Sequence, residues 1–188
     1  QATLLGKQIE DVLYDLGMIN AVFNVSVTPA DEINEYGKDK VEFLISANLG
    51  EEPKPLNKIA SGGEMSRVML ALKVILADVD NISTFIFDEI DTGISGRTAQ
   101  RVAEKMAKVA HSHQILCITH LPQIAAMADN HYLIDKVSSD EGTTTIVTHL
   151  DESEVEEELA RLIGGAKITD ATLSAARDMK AMANKFKN

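Results

Sequence analysis

The sequence has one cysteine, no long apolar run, a shortage of basic residues and no phosphate loop, and each lack excludes something. Cys117 lies inside an apolar, strand-like run, so neither a disulfide framework nor a CxxC site forms within one chain, and a reducing cytoplasm is the expected setting. His111, His113, His131 and His149 lack zinc-ligand spacing, and with a single cysteine no structural zinc site is expected. No apolar stretch reaches the roughly 18 residues needed to span a bilayer. The first residues lack the basic and apolar regions of a signal peptide, so a soluble chain with no membrane partner is expected. Acidic residues outnumber basic ones 29 to 18. The average surface therefore repels nucleic acid, which argues against a simple DNA-binding domain and confines any phosphate contact to a local site. The motif G-x-x-x-x-G-K-S/T is absent. Gly6-Lys7 lacks the upstream glycine and sits in a helical pattern, so the chain alone is expected to bind ATP poorly.

What is present is enough apolar material, 45% of 188 residues, to fill the core of one domain or of a lobe with an appendage. Leu4, Leu5, Ile9, Val12, Leu13 and Leu16 predict a helix over 4–18 that ends near Gly17 and starts without a cap, as the end of a longer helical arm or a truncated chain would. Val22–Val27 and Val41–Ala47 read as an antiparallel pair separated by a polar, turn-rich stretch from Pro29 to Asp39; Pro53 and Pro55 mark a loop. A helix over Glu64–Asp78, a strand over Ser83–Phe87, a helix over Arg97–Ala110 and a strand over Gln114–Thr119 follow. A strand, crossover helix and strand make parallel neighbours whose carboxyl ends share one edge, where open α/β folds hold ligands. Beyond a short helix over Pro122–Ala128, strands at Tyr132–Val137 and Thr143–Leu150 flank a hairpin turn at Asp140-Glu141-Gly142. A helix capped by Ser153 with Glu156 closes at Gly164-Gly165, and Thr169 or Asp170 starts the last one, towards Phe186.

Three clusters carry chemistry. Ser61-Gly62-Gly63-Glu64 opens the second helix. It serves as a capping box or, because paired glycines let a large anion approach a helix terminus carrying about half a positive charge, as a phosphate site. Phe85-Ile86-Phe87 reads as a strand buried on both faces that delivers Asp88 and Glu89 at its end. They form either a solvated strand end or a pair in which alternating directions aim Asp88 at a metal and Glu89 at a water. His120 closes the next strand before Leu121-Pro122 and is expected at the same edge as Asp88. Asp91-Thr92-Gly93-Ile94-Ser95-Gly96 is a tight turn, and Asp151 to Glu158 a solvated acidic helix face.

With these residues in place, the chain resembles the carboxyl-terminal part of the ATPase head of the RecN family, bacterial repair proteins related to SMC proteins. The likeness rests on Lys58 to Arg67, Phe87 to Gly96 and Ile118 to Gln123. In the wider ABC-type ATPase family such segments are the signature motif, the Walker B strand with its D-loop, and the switch histidine. The resemblance implies an α/β, P-loop NTPase-like head lobe with parallel strands, a β-hairpin and flanking helices. Residues 1–20 would end a coiled-coil arm, 21–150 form the carboxyl-terminal lobe and 151–188 pack on the head as helices. It further implies that Ser61, Gly62 and Gly63, with Glu64 beside them, contact the γ-phosphate of ATP held by a second head, and that Asp88 helps hold Mg2+ through water. Glu89 would orient and deprotonate the attacking water, His120 would sense the γ-phosphate, and Asp91 to Ser95 would link the two sites. Glu64 replaces the glutamine of many transporters, as in SMC-like proteins, and Ser95 replaces the aspartate common at the end of the D-loop. The implied partners are the amino-terminal Walker A lobe of the same protein, a second head in an ATP-dependent dimer, and DNA through the full-length protein. The implied location is the cytoplasm, at the nucleoid. A different SMC-like or ABC-type ATPase subunit, or a non-catalytic interaction module whose glycines and acids are only caps and turns, are the alternatives.

Overall fold

The computed structural model describes residues 1–35, 37–59, 61–76, 82–139, 142–165 and 167–187. The expected helix end at Asp78 and the hairpin tip at Asp140-Glu141 lie outside the described residues. The chain forms two compact units, 1–119 and 120–188.

In the first unit, the apolar stripe read from the sequence becomes α1 (Ala2–Asp15), whose Ile9, Leu13 and Leu16 are fully buried. Each such side chain contributes about 1.5–3 kcal/mol by leaving water. Its end is a Schellman turn: Gly17 takes φ +85°, its N–H donates to Tyr14 O at 3.1 Å, and the Met18 N–H donates to Leu13 O at 2.9 Å. Asp15 opposes the helix dipole there, and Lys105 (2.9 Å) and Arg101 (3.3 Å) offset it. The helix packs on β1 (Val22–Asn34), where the Phe23 N–H donates to Glu10 Oε1 at 2.9 Å.

β1 pairs antiparallel with β2 (Gly37–Ser46), which pairs in turn with the two-residue β3 (Lys54–Pro55). The hairpin expected from the sequence is present but longer, because the polar stretch from Pro29 continues the ladder through a register shift between Pro29 and Asn34. β1 lies at the sheet edge, where proline's missing N–H and solvated polar side chains are both tolerated.

After a 3-10 turn at Leu56–Lys58 come α2 (Gly62–Leu76), β4 (Thr84–Phe87), α3 (Gly96–Ala110) and β5 (Gln114–Cys117). β4 and β5 are parallel and in register from Thr84↔Gln114 to Phe87↔Cys117, as the crossover pattern requires. The expected burial on both faces of β4 is not observed. Phe85 and Phe87 are buried, whereas Ile86 is 70% exposed and Leu116 and Ile118 also face solvent. Among the described residues of the first unit, one face of this two-stranded sheet is buried and the other leaves Ile86, Leu116 and Ile118 exposed, a difference that apolar composition alone cannot report.

The second unit contains α4 (Pro122–Met127), an antiparallel hairpin of β6 (Tyr132–Ser139) and β7 (Gly142–His149), α5 (Glu152–Gly164) and α6 (Asp170–Lys187). The capping box of α5 falls two residues earlier than expected: Asp151 Oδ1 accepts the Glu154 N–H at 2.9 Å, and Glu154 Oε2 accepts the Asp151 N–H at 2.8 Å. Ser153 is engaged instead by donating its hydroxyl to Asp151 at 2.8 Å. Thr169 caps α6, accepting the Thr172 N–H at 3.2 Å. The short α4 ends on side-chain donors: His131 Nε2 donates to Ala125 O at 2.8 Å, and Lys180 Nζ donates to Ala126 O and Ala128 O at 3.2 and 2.7 Å. Burial, then the Lys180 charge, lowers the His131 pKa; burial and Lys187 bring Lys180 down to about 8. No described helix is long and apolar enough to cross a membrane.

Candidate functional site

The residues singled out in the first unit converge at the carboxyl end of β4. α2 runs beside β4, so its first turn comes level with the loop that follows Phe87. Ser61 is its N-cap, with Ser61 Oγ accepting the Glu64 N–H at a long 3.4 Å. Gly62 and Gly63 press against the acid loop. A Cβ on Gly62 would collide with the Glu89 carboxylate, and one on Gly63 would sit 3.0 Å from Glu89 O and from Thr92 Cβ. The paired glycines therefore have a present use, letting a helix start approach an acidic loop more closely than any side chain permits.

Asp88 and Glu89 lie just past the strand, both exposed. The alternation expected from a continuing strand does not apply, because Glu89 adopts φ +57°, the left-handed region, at a cost of about 1–2 kcal/mol for a residue with a Cβ. Asp88 Oδ1 accepts the Glu89 N–H at 2.9 Å, which supports this turn. The Glu89 direction is thus set by a turn, not by the pleat. The Thr92 N–H donates to Glu89 O at 3.0 Å, so the loop recloses within three residues.

Asp91 points inward. It is 4% exposed and accepts the Thr119 hydroxyl at 2.6 Å, tying the acid loop to the segment after β5. Ile118 adds a ladder bond to Phe87 O at 3.0 Å. The chain thus reaches the expected edge as far as Thr119. His120 is the first residue of the second unit and is exposed. Burial, with the Asp91 and Asp88 charges adding to it, pushes the Cys117 thiol up to about 12, which favours its protonated form near neutrality.

Two further contributors, Ser66 and Arg67, belong to the segment that carries the resemblance but are given no role by the sequence. The Ser66 hydroxyl donates to Asp88 O at 2.6 Å, and Arg67 Nη1 donates to Thr92 O at 2.9 Å and to Ile90 O at 3.4 Å. Arg67 is 7% exposed; burial lowers its pKa and Glu64 opposes that. An arginine flanked by Met65, Val68 and Met69 in the apolar stripe of the helix is the available signal.

Among the described residues no group of three or more His, Cys, Asp or Glu side chains could hold a metal ion.

Proteins similar to this chain in sequence carry the name DNA repair protein RecN. The DNA repair protein RecN of Bacillus subtilis is 50% identical over 156 residues, covering 83% of this chain and 27% of that protein. RecN of Treponema pallidum is 47% identical over 178 residues, covering 92% and 31%. Over nearly its whole length the chain is RecN-like. It spans about a third of the length of the RecN proteins it matches. No family model matches it. Among solved structures, the Smc head domain with a coiled coil and joint from Pyrococcus yayanosii shares the fold at a TM-score of 0.56 with 19% identity, over 82% of this chain and 28% of that one. The α/β architecture of this RecN-like chain is accordingly the fold seen in that Smc head domain.

Proposed function

We propose that this chain is the carboxyl-terminal half of an SMC-like ATPase head, which binds and hydrolyses ATP at a head-head interface during recombinational repair of DNA double-strand breaks. The observation that carries this is the meeting of a glycine-flanked helix start with two exposed carboxylates at the end of a parallel strand, in a chain like RecN over nearly its whole length. Phosphoryl transfer asks mainly for placement and charge compensation, which helix dipoles and carboxylates supply without a covalent intermediate.

In this reading Asp88 holds Mg2+ through water, and the bound ion supplies charge neutralisation for the phosphates. Glu89 orients and deprotonates the attacking water. Ser61, Gly62 and Gly63, with Glu64 behind them, receive the γ-phosphate of ATP from the opposite head through backbone N–H groups. His120 senses that phosphate, and Asp91 transmits between the loop and the chain before His120 through Thr119. The amino-terminal Walker A lobe of the same protein supplies the absent phosphate loop and covers the open face of β4 and β5. That face exposes Ile86, Leu116 and Ile118 beside a recess of roughly 220 Å³ lined by Met65, Met69 and Lys73, apolar surface of the kind a neighbouring lobe buries. A second head completes the dimer, residues 1–20 join a coiled-coil arm, and DNA binds the full-length protein in the cytoplasm at the nucleoid. The acidic chain itself contributes little to DNA affinity.

The test is Glu89→Gln in the full-length protein. ATP binding is expected to persist while turnover falls about 10²- to 10⁴-fold, the usual worth of a general base. Unchanged turnover would remove Glu89 from the role.

A further inference from the structure

Glu89 is the one non-glycine residue with positive φ among the described residues, and strained backbone of this kind persists only where its surroundings over-determine it. The surroundings here are two consecutive side chains of α2. Ser66 holds the carbonyl of the residue before Glu89, and Arg67 holds the carbonyls of Ile90 and Thr92 after it. Glu89 is therefore bracketed, with its own carbonyl closed by the Thr92 N–H.

Stability gives no reason for this arrangement. Arg67 is almost fully buried, and its Nε has no hydrogen-bond partner among the described residues. A buried guanidinium left partly unsatisfied is costly, and an apolar residue of similar volume commonly serves stability as well or better. What an apolar residue cannot do is grip two carbonyls on alternate residues of a turn.

We propose that Ser66 and Arg67 are positioning residues for hydrolysis, which clamp the backbone on both sides of Glu89 so that its carboxylate keeps one place relative to the start of α2. This rests on Glu89 being the base. Because the clamp joins the glycine-flanked helix start to the acid loop within one chain, any movement of α2 carries the Glu89 backbone with it. The two halves of the chain's contribution to ATP hydrolysis thus move as a piece.

The experiment is steady-state ATP hydrolysis and equilibrium ATP binding by the full-length protein carrying Arg67→Gln, Arg67→Lys or Ser66→Ala, each also combined with Glu89→Gln. Loss of Arg67 is expected to lower kcat by up to about 10²-fold, the scale of an ångström-level misplacement, with ATP affinity and KM unchanged. Ser66→Ala is expected to lower it about tenfold or less, one hydrogen bond being lost. Arg67→Lys recovers little, because the lysine side chain ends one bond short of the Nη1 position from which arginine donates to both carbonyls. In the Glu89→Gln background the same changes are expected to add no further loss, since they act only through that carboxylate. Full kcat in folded Arg67→Gln, or an equal loss with and without Glu89, overturns the clamp. If Arg67→Gln does not fold, Ser66→Ala alone decides by the same two criteria. Normal turnover in Glu89→Gln would instead overturn the assignment of the base, a result separable from failure of the clamp alone.

Discussion

Replacing Gly63 by alanine tests how tightly α2 is seated on the acid loop. The added Cβ would lie 3.0 Å from Glu89 O, 3.0 Å from Thr92 Cβ and 3.2 Å from Thr92 O. Neither carbonyl is at liberty to withdraw, because Glu89 O accepts the Thr92 N–H at 3.0 Å and Thr92 O accepts Arg67 Nη1 at 2.9 Å. Relief by a few tenths of an ångström lengthens both bonds. Overpacking of this kind costs about 1–3 kcal/mol. Removing a helical glycine returns up to about 1 kcal/mol, leaving a net loss of about 1 kcal/mol from the middle of that range and up to about 2 kcal/mol from its top. The same change at Gly62 meets only the Glu89 carboxylate, the movable end of an exposed side chain, so its effect on stability is expected within about 0.5 kcal/mol. Hydrogen exchange read by mass spectrometry on the peptide containing Thr92 measures the difference locally. Gly63→Ala is expected to speed exchange there about fivefold, the factor for about 1 kcal/mol, and by no more than about 30-fold, and Gly62→Ala to leave it as in the parent. Equal rates in Gly63→Ala and the parent, or equal acceleration by both variants, would refute the close seating.

Gly17→Ala should destabilise the first unit by about 2 kcal/mol or more, through the left-handed penalty and a clash; the new Cβ would lie 2.6 Å from Thr98 Cγ2, and Thr98→Ala is expected to relieve only the clash in urea unfolding. Lys180 titrates from about 8 in the folded chain, whereas an unfolded lysine holds its proton to about 10.4. The unfolded state therefore binds more protons between those values, and the contribution of Lys180 to stability rises with pH across that window. A titration of its side chain by NMR should show the low midpoint, and Lys180→Met should flatten the rise; a midpoint near 10.4 would count against burial as the cause.

Much of this chain was legible in order. The α1 stripe, the β4-α3-β5 crossover and its parallel pairing, the hairpin of β6 and β7 and both carboxy-terminal helices follow from local periodicity and from the chirality of the chain, which act within a few residues. Ser61-Gly62-Gly63 and Asp88-Glu89 were visible because each is a run of neighbours. Less visible were features set between distant segments. The extension of β1 past Pro29 depends on a partner strand and an edge position. The shift of the α5 cap to Asp151 depends on which of several acids closes both bonds.

The sequence by itself determined the elements, the parallel pair and the acids at its end, because those depend on spacing along one strand or helix. Only the tertiary structure decided that Ile86 faces outward, that Glu89 turns through a left-handed backbone, and that Asp91 is drawn inward to Thr119. It also placed Ser66 and Arg67 on the carbonyls of a loop more than twenty residues away. These depend on which surfaces meet, and a hydrogen bond from a side chain to a distant carbonyl leaves no periodic trace in the sequence.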